Sequence, residues 1–284
     1  MILNAKFPHR RWLVALVFFT PVLLSTDPAL GESPEQSDIE SADQIAGRTV
    51  DVRRCGFIAK IRPEKLDDYK NHHAQVWPEV TRAFADHHIQ NLSAWVKELE
   101  PGEHYIFAYF EYSGDDFAGD FEQLAAEPAS QKWHKMVDQD CLVRSAAGSF
   151  WAPMEEVFYF AGAANHPVDP NNVKRYGQVI GIRPALVDSY KLIHKHAWPE
   201  VLKAIRRGNI RNYPIYMTTL GEKVYIFGYM EYVGSDFDAD MQEIDSNPAT
   251  KAWIKFTDEV CQLPIPTRQD GEWWANMENV VHLP

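Results

Sequence analysis

The sequence predicts an α+β protein made of two tandem ferredoxin-like domains, and three observations lead to this prediction. Two long segments resemble each other at a spacing of about 120 residues. Each segment carries strand and helix patterns in the order β-α-β-β-α-β. In each, one aromatic-rich strand would leave alternate side chains on an uncovered sheet face, which is costly in water. We therefore expect the two sheets to pack face to face as a pseudo-dimeric α/β barrel within one chain.

Four pairs of segments carry the repeat. They are IRPEKLDDYKNHHAQVWPEV with IRPALVDSYKLIHKHAWPEV, YIFAYFEYSGDDF with YIFGYMEYVGSDF, EPASQKWHKMVDQDC with NPATKAWIKFTDEVC, and WAPMEEVFYF with WANMENVVHLP. The period is too long for a solenoid repeat, so each copy is expected to be a domain. We assign residues 49–160 to copy 1 and residues 174–284 to copy 2, with residues 161–173 as a linker rich in Gly, Pro and Asn.

The elements of copy 1 follow from its local patterns. Alternating apolar residues predict strands at Arg54 to Ile61, Asn91 to Glu98, His104 to Tyr112 and Glu155 to Phe160. Pro63 and Glu64 are typical of a first helical turn. Residues 116–141 have helical spacing, with a break expected near Pro128. Each copy should therefore form a four-stranded antiparallel sheet with both helices on one face.

Acidic residues mark two kinds of helix start. Asp115, Asp116, Asp236 and Asp238 fall where the second helix of each copy should begin, as N-caps do. Glu79 and Glu200 follow a Pro, where a carboxylate favours the positive end of a helix. A second interpretation of these two glutamates is that they orient a neighbouring histidine.

The N-terminal segment has the features of a secretory signal peptide. Lys6, Arg10 and Arg11 precede an apolar run from Trp12 to Leu24, and small residues near Gly31 suit a cleavage site. Residues 1–31 are thus expected to be removed and the protein to be exported, periplasmic or extracellular. The run is short for a bilayer span, so no membrane contact is expected after cleavage, although a retained anchor is the alternative. Residues 32–48 are polar and acidic and are expected to form a flexible tether.

Composition excludes several classes of function. The net charge of −12 over 284 residues disfavours nucleic acid as a partner. Three cysteines provide no paired framework and no zinc spacing, and Cys141 and Cys261 are expected to be small apolar residues at helix ends. No metal site is expected either, since neither His72 with His73 nor His194 with His196 shares a helix face.

The motif Tyr-x-x-x-His-x-x-x-Trp-Pro-Glu occurs in both copies and carries the candidate chemistry. Tyr69, His73 and Trp77 recur as Tyr190, His194 and Trp198, each four residues apart, which places each triple on one helix face. The following Pro78 and Pro199 are expected to kink the helix. Such a stripe is common in protein cores, but a purely packed position would more cheaply hold Leu or Met than His. Hydroxyl, imidazole and indole groups together suit a sugar site.

At these residues the sequence resembles the L-rhamnose mutarotase family. The match comprises the first strand, the repeated motif, Asn212 and Tyr213 of a second strand, Trp133 and Trp253 of the second helix, and the strand Glu155 to Tyr159. It extends over nearly all of both copies. The family's members are small ferredoxin-like proteins that dimerise sheet to sheet, and they interconvert the α and β anomers of a deoxy sugar without a cofactor.

The resemblance implies roles for particular residues. His73 and His194 match the family's proposed general acid, and Tyr69 and Tyr190 match its sugar-contacting Tyr. Tyr213 matches a second substrate Tyr, and Trp133 and Trp253 match part of its Trp pair. Copy 1 departs from the pattern with Leu92 and His134, and copy 2 with Ile254. Copy 2 is therefore expected to be the better site.

The chemistry of opening a sugar ring agrees with the role that the resemblance implies for the two histidines. Opening a pyranose ring needs one proton delivered to the ring oxygen and one removed from the anomeric hydroxyl, and a histidine near neutral pH can transfer one of them. The other group stays open between Tyr, a carboxylate and water. Two other classes remain: an exported sugar-binding protein that keeps the pocket without turnover, and another activity on this fold, such as a monooxygenase or haem protein. The internal pseudo-dimer needs no second chain.

Overall fold

The computed structural model describes residues 52–145, 147–162 and 172–284. The predicted signal peptide and tether and most of the linker lie outside these residues. Within the described parts of the chain, no helix is both long and apolar enough to cross a membrane.

Both copies contain the predicted elements. Copy 1 comprises β1 (Arg53–Lys60), α1 (Leu66–His73), α2 (Pro78–Asp86), β2 (Ile89–Glu100), β3 (Glu103–Tyr112), α3 (Phe117–Ala126), α4 (Pro128–His134), β4 (Trp151–Pro153) and β5 (Glu155–Phe160). Copy 2 comprises β6 (Lys174–Ile182), α5 (Val187–Lys195), α6 (Pro199–Arg207), β7 (Ile210–Arg211), β8 (Tyr213–Leu220), β9 (Lys223–Tyr232), α7 (Phe237–Ser246), α8 (Pro248–Cys261), β10 (Gln262–Leu263), β11 (Ala275–Asn276) and β12 (Glu278–Leu283).

The helix boundaries follow from prolines and caps. Asp116 caps α3 by accepting from the Gly119 amide at 3.0 Å, and Asp236 caps α7 by accepting from the Ala239 amide at 3.1 Å, as predicted. The expectation of a kink at Pro78 and Pro199 was wrong. Each of these prolines begins a separate helix, because its fixed φ and missing amide suit the first helical position.

The last strand of each copy lies in the sheet of the other copy. The first sheet has the order β12-β2-β3-β1-β4, and the path of the second is β10-β6-β9-β8-β5. Thus β12 pairs with β2, placing Val281 opposite Ala94, while β5 pairs with β8, placing Phe158 opposite Ile215. The prediction of a self-contained four-stranded sheet in each copy is corrected here. Each copy covers the open edge of the other, which ties the two halves together.

The aromatic strands meet between the two sheets, as predicted. From β3, Tyr105, Phe107 and Tyr109 face the second sheet, where Phe107 stacks on Phe227 with centroids 4.8 Å apart, and Tyr109 stacks on Tyr229 at 4.1 Å. The intervening residues of β3 face the helices. This shared apolar layer joins the two sheets into the predicted barrel.

Two glycines allow the sheets to approach closely. A Cβ on Gly56 would lie 2.6 Å from the Tyr216 ring, and one on Gly177 would lie 2.7 Å from the Trp95 ring. Since the two pairs are equivalent in the repeat, the sheets meet with the same geometry on both sides of the barrel.

A buried polar cluster also joins the two copies. Glu111 and Glu231 are 4% and 5% exposed, and Asn91 donates to both carboxylates at 2.9 Å. Asn212 donates to the same two carboxylates at 2.7 and 3.1 Å. Both asparagines have positive φ, a conformation that Asn tolerates better than most residues. Because each amide spans the two copies, the cluster favours one alignment of the sheets.

Candidate functional site

A cavity of about 70 Å³ lies between the helices and the helix-facing side of the first sheet. Its lining is mainly apolar, with a small number of polar groups, as in many small-molecule sites. It is lined by Tyr69, His73, Val76, Phe84, Ile89, Leu92, Ala94, Ala108, Phe110, Trp133, Val137, Asp138, Trp151, Val281 and Leu283. The exchanged strand β12 contributes the last two residues, so both copies build this pocket. We call it the first pocket.

The predicted residues of copy 1 meet in the first pocket. The rings of Tyr69 and His73 lie with centroids 4.1 Å apart, and the rings of His73 and Trp133 are nearly perpendicular with centroids 5.4 Å apart. Trp77 packs edge-on against Trp133 at 5.5 Å, although it precedes α2 and does not belong to α1. The helical spacing therefore identified the contact between Tyr69 and His73, but the placement of Trp77 on the same helix face was wrong, because the helix ends at His73.

The His73 ring is held in one tautomer. Its Nδ1 lies 2.9 Å from the backbone oxygen of Tyr69. A carbonyl oxygen can only accept, so Nδ1 donates and Nε2 carries the free lone pair in the neutral ring. Burial lowers the pKa of His73 to about 4, against smaller raising effects of the Tyr69 carbonyl and Asp138. His73 is thus neutral at pH 7 and equipped to accept a proton at Nε2.

The Tyr69 phenol is a second polar group at this site. Its hydroxyl is buried and has no hydrogen-bond partner among the described residues. Burial, reinforced by the charge of Asp138, raises its pKa well above 10. The phenol therefore keeps its proton and offers a donor and an acceptor, for which a ligand hydroxyl would be a suitable partner.

Asp138 is a pocket residue that the sequence analysis missed. It is 2% exposed, and its Oδ2 lies 2.7 Å from His134 Nδ1 while its Oδ1 accepts from the Trp151 indole at 3.3 Å. The helix widens here into a π-helical turn over Lys135–Gln139. A carboxylate four residues after His134 was the available signal, since residues at that spacing meet on a helix.

The equivalent residues of copy 2 form a second cluster of the same geometry. Tyr190 and His194 have ring centroids 4.0 Å apart, and the rings of His194 and Trp253 are nearly perpendicular with centroids 5.4 Å apart. His194 Nδ1 also lies 2.9 Å from the backbone oxygen of Tyr190, and burial lowers the pKa of His194 to about 4. The predicted catalytic and substrate residues therefore form two separate clusters, one per copy.

The second cluster carries larger side chains than the first pocket at two equivalent positions. Phe158, from the exchanged strand β5, lies with its ring perpendicular to His194 at 5.7 Å and to Tyr213 at 5.9 Å. Phe158 and Tyr213 take the places that Val281 and Leu92 occupy in the first pocket. His194 is 8% exposed, whereas His73 is partly exposed.

The described residues contain neither a cluster of metal ligands nor a disulfide. Among the described residues, no three His, Cys, Asp or Glu side chains converge as metal ligands. All three cysteines of the sequence fall within this part of the chain, and each is buried and unpaired. Cys141 and Cys261 lie at helix ends, as predicted.

Comparison with known proteins identifies related sequences. A family model described as L-rhamnose mutarotase matches residues 54–160 and again residues 175–283. The L-rhamnose mutarotase of Oceanobacillus iheyensis is 26% identical over 108 residues, which is 38% of this chain and 98% of that protein. The Bacillus subtilis protein of the same name gives the same identity, aligned length and coverages. A Dictyostelium discoideum protein named UPF0734 is 31% identical over 125 residues, covering 41% of this chain and 94% of that one.

Comparison with solved structures gives only distant similarities. A candidate monooxygenase from Lactobacillus acidophilus NCFM has a TM-score of 0.48 and 9% identity, covering 81% of this chain and 95% of its own. A chlorite dismutase from Candidatus Nitrospira defluvii has a TM-score of 0.31 and 11% identity, covering 80% and 91%. These distant likenesses carry no functional argument.

Proposed function

Since the chain belongs to the L-rhamnose mutarotase family, we propose that it interconverts the α and β anomers of L-rhamnose or a related deoxy sugar in the first pocket. The observation that carries the proposal is that His73 is neutral at pH 7 and held in one tautomer. Its Nδ1 is fixed on the Tyr69 carbonyl, and the residue lines the cavity. Ring opening begins when a base takes the anomeric proton, and neutral Nε2 is suited to that step.

The remaining lining suits a deoxy sugar. Trp133 and Trp151 offer indole faces on which the C–H face of a pyranose can pack. Val281 and Leu283 provide an apolar surface for a methyl group, and the Tyr69 phenol can bond to a sugar hydroxyl. These features support the first pocket as the working site, in place of the second cluster that the residue pattern favoured.

The decisive experiment measures α/β exchange of L-rhamnose by saturation-transfer NMR with purified protein. We expect exchange clearly faster than in buffer alone, in proportion to protein concentration. A panel of other aldoses would define the substrate class. If neither L-rhamnose nor any aldose exchanges faster while tryptophan fluorescence still reports sugar binding, the protein is a sugar-binding module and the proposal fails.

The pH dependence tests the role of His73 as a base. Because burial lowers its pKa to about 4, we expect the catalysed rate to stay nearly constant from neutral pH down to about pH 5 and to fall by half near pH 4. A histidine with an ordinary pKa near 6.5 would lose roughly nine tenths of the rate by pH 5.5. The measurement is the exchange rate against pH with the buffer rate subtracted, and an acid limb centred near pH 6.5 would contradict the assignment.

A further inference from the structure

We propose that Asp138, paired with His134, is the second proton-transfer group of the first pocket. This inference rests on the proposed function, because ring opening needs an acid at the ring oxygen as well as a base at the anomeric hydroxyl. His73 supplies the base. The acid has to lie in the same cavity and has to release and recover one proton in every cycle.

Position favours Asp138 for this task. It lines the cavity together with His73 and Tyr69. Its side chain is 3% exposed, so bulk water does not compete with the sugar for the carboxylate. Its Oδ1 accepts only a long 3.3 Å bond from the Trp151 indole, which leaves this oxygen with capacity for a ligand.

His134 fixes the orientation of the Asp138 carboxyl group. Asp138 Oδ2 and His134 Nδ1 are 2.7 Å apart, so a ring that carries its proton on Nδ1 donates to this oxygen. Oδ1 is then the oxygen that gives its proton to the sugar and takes it back. His134 is therefore a positioning residue, and Asp138 is the group that meets the sugar.

Tyr69 is a weaker candidate for the acid. Burial, followed by the charge of Asp138, raises the pKa of its phenol well above 10. A phenol that holds its proton so strongly is a poor reversible donor at neutral pH. Its role is better limited to hydrogen bonding with a sugar hydroxyl.

The step balances without a co-reactant. His73 Nε2 takes the proton from the anomeric hydroxyl while Asp138 gives its proton to the ring oxygen, so the C1–O5 bond breaks and the C1=O1 bond forms. The open chain rotates about C1–C2. Ring closure then returns both protons, with the hydroxyl on the other face of C1. The enzyme ends with the same protons it held at the start.

The pairing of Asp138 with His134 is particular to copy 1. Position 134 is His in copy 1, whereas its equivalent in copy 2 is Ile254. Asp258, the equivalent of Asp138, instead accepts from the Thr257 hydroxyl at 2.8 Å. The helix of copy 1 carries a π-helical turn at this point, while α8 runs unbroken from Pro248 to Cys261. Such turns are frequent at functional sites, which favours a specialised role for Asp138.

The test is the substitution Asp138→Asn, which keeps the shape of the side chain but cannot exchange a proton. We expect the exchange rate to fall by about 10² to 10⁴-fold, with L-rhamnose binding, followed by tryptophan fluorescence, nearly unchanged. The matched control is Asp258→Asn, which should leave the rate within about threefold of wild type. A rate for Asp138→Asn within that same range would overturn the inference.

A second variant keeps the inference testable if Asp138→Asn does not fold. His134→Phe keeps an aromatic ring but removes the donor to Asp138, so the exchange rate should fall, whereas His134→Gln can still donate to Asp138 and should restore most of the rate. An unchanged rate in a folded His134→Phe protein would overturn the inference while leaving the mutarotase proposal standing. Wild-type protein without any accelerated exchange would overturn both, so the two failures are distinguishable.

Discussion

His73→Gln is expected to slow α/β exchange by about 10² to 10⁴-fold, the usual contribution of one positioned proton-transfer group. Gln can still donate to the Tyr69 carbonyl, so the helix end should be preserved while the base at Nε2 is lost. The measurement is saturation-transfer NMR on L-rhamnose with wild type and variant at equal concentration. Circular dichroism melting would confirm that the variant is folded.

The matched control is His194→Gln in the second cluster. His194 has the same backbone contact at 2.9 Å, but the Phe158 ring lies against it. We expect its rate within about threefold of wild type. Equal losses in the two variants would mean that both copies turn over sugar. A loss confined to His194→Gln would place catalysis in copy 2 and would contradict the assignment to the first pocket.

Val281→Phe, a substitution in the last strand of the chain, is expected to fill the first pocket. Val281 lines this cavity from the exchanged strand β12, and its equivalent in the second cluster is Phe158. A Phe at this place would occupy the space beside His73, so both sugar binding and exchange should fall by about tenfold or more. The stability cost should stay within the ~1–3 kcal/mol of an overpacked core, because the added ring enters an existing cavity.

The reciprocal variant Phe158→Val provides the control. It removes the ring that contacts His194 and Tyr213 and leaves the first pocket untouched. Its exchange rate should therefore not fall below that of wild type. Fluorescence titration would measure sugar binding and NMR would measure α/β exchange in both variants, so that the loss of binding can be separated from the loss of catalysis. Full activity in a folded Val281→Phe protein would show that the sugar site lies elsewhere.

The sequence by itself determined the repeat, the order of the elements and the partners of each histidine. These are local properties. Four-residue spacing brings Tyr69 over His73 wherever a helix forms, and alternation along β3 separates the residues facing the helices from those facing the other sheet. The cap at Asp116 and the helix start at Pro78 likewise depend on near neighbours in the chain.

Only the tertiary structure decided where the last strand of each copy lies. An edge strand can pair with either sheet, and nothing within Glu155 to Phe160 or Glu278 to Leu283 specifies which one. That exchange places Val281 in the lining of the first pocket and Phe158 against His194, so it determines which side chain from the other copy each histidine faces. The surroundings of each histidine depend on a side chain from the other copy, Val281 for His73 and Phe158 for His194, and no local pattern records them.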